Sequence, residues 1–154
     1  MTGFAESSER VTSDTSERRS ANMRAVRGKD TKPEMVVRRI THALGFRYRL
    51  HGRDLPGRPD LVFRSRRKVI FVHGCFWHRH PGCRRATMPE GNREFWREKL
   101  TKNSDRDAAQ LAALNAVGWK ALVIWECQTK KPDLVALTIR SFLDERPEGM
   151  NAIR

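Results

Sequence analysis

Val36, Val37, Ile40, Ala43 and Leu44 recur three and four residues apart, which is the spacing of one buried face of a helix. Thr31 can cap its start, Pro33 suits its first turn, Glu34 stands where a capping box closes, and Gly45 ends it. Phe46, Tyr48 and Leu50 then alternate with polar residues, as in a strand, and residues 51–56 read as a loop. Residues 60–63 and 68–72 are short, β-rich apolar runs, and the link 64–67 between them predicts a hairpin. Residues 74–93 carry glycine and proline without any period. A long helix is predicted over 93–117, stopped by Gly118. Residues 119–125 read as a buried strand, and 132–145 as a last helix. No internal repeat is visible.

The ends are different. Residues 1–17 hold Ser, Thr, Glu and Arg with almost nothing to bury, and are predicted to be a disordered tail. Residues 18–30 form a basic arm, partly helical, broken at Gly28-Lys29-Asp30. A single domain is expected over 18–146, including that arm, with a flexible tail at 147–154. The chain's 154 residues suffice for one core. With 31 Lys+Arg against 18 Asp+Glu, its net charge of +13 suits a partner carrying many phosphates. No apolar run is long enough to span a membrane, and no leader peptide opens the chain, so a cytoplasmic location is expected.

Cys75, His80 and Cys83 give the spacing C-x4-H-x2-C. Thiolate and imidazole are ligands that zinc favours, and a structural zinc takes four in a tetrahedron. Cys127 follows the strand at 119–125, where the chain can return to the hairpin's edge. A Cys3His set of Cys75, His80, Cys83 and Cys127 would use every cysteine present and leave no open position, so the ion would be structural. The alternative is that Cys127 is an ordinary buried thiol and the other two are idle.

Asp60 opens the first hairpin strand, directly after a Pro-Gly-Arg-Pro turn. Cleaving a phosphodiester calls for a divalent ion, and Mg2+ takes one or two carboxylates plus water and substrate oxygens. A turn-capping aspartate is the other reading of Pro59-Asp60. With a helix carrying Glu34 before it and a hairpin after it, the segment resembles the core of the PD-(D/E)xK nucleases. That superfamily's acidic-x-Lys signature is missing, since the second strand reads Ile70-Phe71-Val72-His73.

Five strings in order narrow the match: Asn22-Met23-Arg24, Leu55-Pro56-Gly57-Arg58-Pro59-Asp60, His73-Gly74-Cys75-Phe76-Trp77-His78, Glu94-Phe95-Trp96 and Val123-Ile124-Trp125-Glu126-Cys127. Together they closely resemble the very-short-patch-repair (Vsr) mismatch endonucleases, from about residue 20 to 127. The resemblance implies an α/β, restriction-endonuclease-like fold, with a mixed central sheet flanked by helices and a structural zinc site. It implies Mg2+-dependent nicking of one DNA strand 5′ to the thymine of a T:G mismatch, such as deaminated 5-methylcytosine leaves. It further implies a bacterial, nucleoid-associated monomer whose partners are mismatched double-stranded DNA and mismatch-repair proteins.

Residue by residue, the resemblance makes Asp60 and the main-chain carbonyl of Val72 ligands of Mg2+, and His78 the general base or proton shuttle. His73 and Glu34 orient water and phosphate, and Cys75, His80, Cys83 and Cys127 hold Zn2+. The loop departs from the family at Pro81-Gly82 and in its length before Cys83. Without the resemblance, Glu34 reads as a helix-cap residue, and either histidine as a partner in a loop hydrogen bond.

Phe76 and Trp77, large aromatics on a polar loop, suit a wedge pressed beside a weakly stacked wobble pair. A small satellite core under the loop is the plainer reading. Trp96 shares a helical stripe with Leu100, Leu111 and Leu114, which suggests the core. It also shares a face with Lys99 and Asn103, and the resemblance assigns these three to DNA and the mismatched pair. The resemblance has Met23 approach the same site from the minor groove, whereas the simpler reading of the arm is phosphate attraction through Arg18, Arg19, Arg24 and Arg27. Three other readings stand beside this one. They are a nuclease of the same fold for another mismatch or modified base, a non-catalytic zinc-containing DNA-binding module, and a basic RNA-binding protein.

Overall fold

The computed structural model describes residues 28–145. The predicted tails 1–17 and 147–154, and the arm with Met23 and Arg24 up to residue 27, lie outside the described residues. The chain divides into a unit Met1–Thr31 and a unit Lys32–Arg154, and the second carries every helix and strand among the described residues.

Helix α1 spans Lys32–Ala43 and buries Glu34, Val37, Arg38 and Thr41. Strands β1 (Arg49–Leu50), β2 (Leu61–Phe63) and β3 (Lys68–His73) follow. Helix α2 is Arg93–Ala116, strand β4 is Lys120–Trp125, and helix α3 is Pro132–Asp144. The sheet order is β1-β2-β3-β4. The first two pairings are antiparallel and β3·β4 is parallel, so the sheet is mixed, as expected. A parallel neighbour needs a long crossover, and residues 74–119, including α2, provide it.

Strand alternation sends side chains to both faces. Leu61, Phe63, Ile70 and Ile124 pack with Val37 of α1 and with Val135, Ile139 and Leu143 of α3. Val62, Val69 and Phe71 pack with Leu114 of α2. The sheet is therefore covered on both sides, which explains why β2 and β3 read as continuous apolar runs.

The hairpin turn is a single 3-10 turn, Arg64–Arg66, closed by Arg67 at φ 51°. Lys68, the first residue of β3, is buried, and its ammonium donates to the carbonyls of Phe142 and Glu145. Arg66 donates to the Leu143 carbonyl at 2.8 Å. Two cations thus satisfy the open carbonyls at the C-terminus of α3 and lock it to the hairpin.

The strand expected over 46–50 shrinks to Arg49–Leu50. The Phe46 N–H turns back to the Thr41 carbonyl at the end of α1. Phe46 and Tyr48 still pack on the core, so the alternation was a burial signal without a ladder. Asp60 stands one residue before β2 rather than within it.

Candidate active site

The loop 51–60 delivers Asp60. Gly57 has φ +78°, and a Cβ there would meet the Gln110 side chain of α2 at 2.9 Å, so only glycine lets the turn lie against that helix. At Gly52 a Cβ would meet Val62 at 2.7 Å, which keeps the loop tight on β2. The His51 N–H donates to the Asp60 carbonyl at 3.1 Å.

The Asp60 carboxylate accepts the Val72 N–H at 2.7 Å, so it is tied to the strand next to His73. Burial pushes its carboxyl up to about 6; the Val72 N–H opposes this, and the charge of Glu34 adds to it. Glu34 is buried on α1 and paired with Arg38 one turn on. His51 Nε2 lies 3.6 Å from the Glu34 carboxylate and 3.2 Å from the Arg38 guanidinium. A carboxylate raised by burial, beside a second carboxylate, is the oxygen-rich and charge-hungry setting that a hard cation relieves.

His73 ends β3 and is buried, and the His78 ring lies flat against it, 3.9 Å between centroids and 7° between planes. Burial, reinforced by the neighbouring His78, pushes His73 down to about 4, so it is neutral near pH 7. His78 Nδ1 is 2.5 Å from a carboxylate oxygen of Asp107 on α2. A carboxylate only accepts, so Nδ1 carries the proton and Nε2 is left as the basic nitrogen. The nearness of His73, His78 and Asp107 is also that of a metal trio. Parallel stacked rings, however, direct their in-plane lone pairs side by side instead of at one point. Such an arrangement can hold and move a proton.

Behind this pair, Cys75, His80, Cys83 and Cys127 bring their donor atoms within 4.8 Å of one another. His80 Nδ1 is 3.6 Å from Cys75 Sγ and 3.4 Å from Cys127 Sγ, separations that suit the edges of a tetrahedral metal centre. The Cys127 N–H also donates to Cys75 Sγ at 3.4 Å. The 3-10 turn Glu126–Lys130 after β4 brings Cys127 there, as its position after the strand suggested. These residues can hold a metal ion, and the thiolate-imidazole set favours zinc.

Phe76 and Trp77 sit half-buried on the cluster's loop and meet Trp96 of α2 at 5.7 and 6.1 Å. Exposed Phe95 joins at 5.3 Å from Trp96, and the Lys99 ammonium stands 5.6 to 5.8 Å from the rings of Trp77, Phe95 and Trp96. Asn103 donates to the Trp77 carbonyl at 3.2 Å and so holds the loop to α2. Trp96 belongs to neither main core cluster and meets the loop aromatics instead, edge-on to Phe76 and tilted to Trp77.

The expected residues thus assemble in three neighbourhoods: Asp60 with Glu34 and Val72, His73 with His78, and the loop aromatics with Trp96, Lys99 and Asn103. Asp107 went unnoticed in the sequence. A signal existed: Asn103 and Asp107 are one turn apart and continue the stripe of Trp96 and Lys99.

Comparison with known proteins gives a consistent result. The family model described as DNA mismatch endonuclease Vsr matches residues 13–85. A protein of Xanthomonas oryzae pv. oryzae named Type II nicking enzyme V.XorIIP is 47% identical over 128 residues, 83% of this chain and 93% of that protein. Type II nicking enzyme V.NmeAIP of Neisseria meningitidis is 41% identical over 116 residues, 75% of this chain and 82% of its own length. DNA mismatch endonuclease Vsr of Escherichia coli is 43% identical over 109 residues, 71% of this chain and 69% of that protein.

Proposed function

The chain belongs to the Vsr family of DNA mismatch endonucleases, and from that premise we propose that it nicks one strand of a duplex 5′ to the thymine of a T:G mismatch, with Mg2+ as its catalytic ion. The observation that carries this reading is the Asp60 carboxylate anchored to the N–H of Val72, the residue before His73, on which His78 stacks.

Asp60 and the Val72 carbonyl would hold the divalent ion, which when bound supplies charge neutralisation at the phosphate and a more acidic water. His78, its Nδ1 proton kept by Asp107, offers Nε2 to take a proton from the attacking water or return one to the leaving oxygen. His73 stays neutral and fixes the plane of His78. Glu34 orients water and phosphate beside Asp60. Zn2+ on Cys75, His80, Cys83 and Cys127 would stiffen the loop without touching the reacting atoms. Phe76, Trp77 and Trp96 would wedge beside the wobble pair, with Lys99 and Asn103 on its bases and Met23 and Arg24 as further DNA contacts. A monomer suffices for such a site, acting in the cytoplasm and handing its nick to repair proteins.

The test is a strand-specific nicking assay on duplexes carrying each mismatch, run with Mg2+ and with chelator. Cleavage confined to the T:G strand and dependent on Mg2+ is expected. Equal cutting of other mismatches defeats the specificity, and cutting in chelator defeats the metal role. Asp60→Ala should bind the duplex yet leave it intact; a variant that still nicks removes Asp60 from the reaction.

A further inference from the structure

The active-site imidazoles and the cysteine-histidine cluster share a wall. Trp125 is the last residue of β4 and pairs in register with His73, the last residue of β3. In-register neighbours on parallel strands project to the same face, here the face under α2. The His80 ring lies flat on the Trp125 indole, 4.3 Å between centroids and 10° between planes. The other neighbour, His73, meets the indole edge-on at 5.4 Å and 72°. His73 in turn stacks on His78, which Asp107 holds. The rings form an unbroken series from a metal ligand to the catalytic base.

The Trp125 indole lies against these two imidazoles, and its backbone is anchored as well. Its main-chain N–H donates to Gln128 Oε1 at 2.8 Å, and Cys127, two residues on, belongs to the cluster. A side chain held in this way can pass the position of one ring to the next, since packed rings have few alternative arrangements.

We infer that Trp125 is a positioning residue for nicking: it transmits the placement of His80 to His73 and so sets the plane of His78. The loop's metal knot then acts on the chemistry through one indole as well as by stiffening the loop. This rests on the assignment of His73 and His78 to the reaction proposed above.

The experiment uses Trp125→Leu and Trp125→Phe in the full-length, zinc-loaded protein. It reads zinc content, duplex affinity, kcat, and the imidazole nitrogen resonances of His73 and His78 at one pH. Trp125→Leu should keep its zinc and its duplex affinity, lose about 10- to 100-fold in kcat, and shift both sets of ring signals. Trp125→Phe, still flat and aromatic, should recover most of the loss. A Leu variant within twofold of the parent kcat, unmoved ring signals, or a Phe variant no better than Leu overturns the inference. Should Trp125→Leu be insoluble, His80→Cys decides the matter, because it keeps four zinc ligands and removes only the stacked imidazole. Shifted His73 signals in that variant support the coupling, and unshifted ones overturn it. A His78→Ala variant that nicks normally would instead defeat the reaction assignment, and the resonances would still judge the role of Trp125.

Discussion

Asp60 is held where its charge is costly. Its carboxyl is raised from 3.8 to about 6, chiefly by burial, so the folded chain binds that proton more tightly than the unfolded one. The contribution to stability is therefore unfavourable above pH 6, reaching about 3 kcal/mol when fully ionised, and fades as pH falls towards 4. Asp60→Asn keeps an acceptor for the Val72 N–H and removes the charge. In metal-free buffer at pH 8 it should melt several degrees above the parent while losing nicking, and the gap should close near pH 4. A variant that melts lower at pH 8 would contradict the burial cost. The second residue to test is Asp107. Asp107→Asn can donate to His78 Nδ1 and so permit the wrong tautomer. A loss of about 100- to 10,000-fold in kcat with duplex affinity kept is expected from nicking kinetics beside a binding titration. Asp60, His73 and His78 were legible in the sequence because they sit in short, ordered motifs. Their proton states were not, because burial and the stacked neighbour belong to the fold.

Among the elements, the loop 74–92 has little regular structure, with only the 3-10 turn Arg84–Ala86 within it. Its order depends on the cysteine-histidine cluster and on α2, through Asn103 and Trp96. Cys127→Ser removes one of four donors, so zinc content measured on purified protein should fall and the melting temperature with it. Unchanged zinc and melting would show that Cys127 is no ligand. The boundaries of α2, β4 and α3 fell within a residue of the periodicity and of the Gly118 stop. The strand at 46–50 misled, because alternation reports which side chains are buried and not whether the backbone finds a partner strand. The stripe on α2 was legible as a stripe. Its division into a core half at Leu111 and Leu114 and a site half at Trp96, Asn103 and Asp107 came from what each side chain meets in the fold.

For the whole molecule, the charge of +13 and the two-sided sheet do separate work. The packed faces place β3 and β4 rigidly, and the surplus of Lys and Arg draws in a polyanion. Duplex affinity should therefore fall steeply with salt, by about 1,000-fold or more between 50 and 200 mM if six or more phosphates are contacted. A titration showing a flat response would mean that phosphate neutralisation is not what binds the duplex. No helix among the described residues is long and apolar enough to cross a membrane.

The sequence by itself determined the order and type of the elements, the family, the carboxylate at Asp60 and the sulfur and nitrogen donors of the loop. All of these follow from residue type and spacing, which survive without coordinates. Only the tertiary structure decided that Asp107 holds His78, that His73 is neutral beneath it, and that the Trp125 ring lies against both His73 and His80 of the cysteine-histidine cluster. Asp107 and His78, and Trp125 and its two imidazoles, lie tens of residues apart, and no local period relates them. They meet because the β3·β4 ladder is parallel, which sets the ends of the two strands side by side and lays α2 across them.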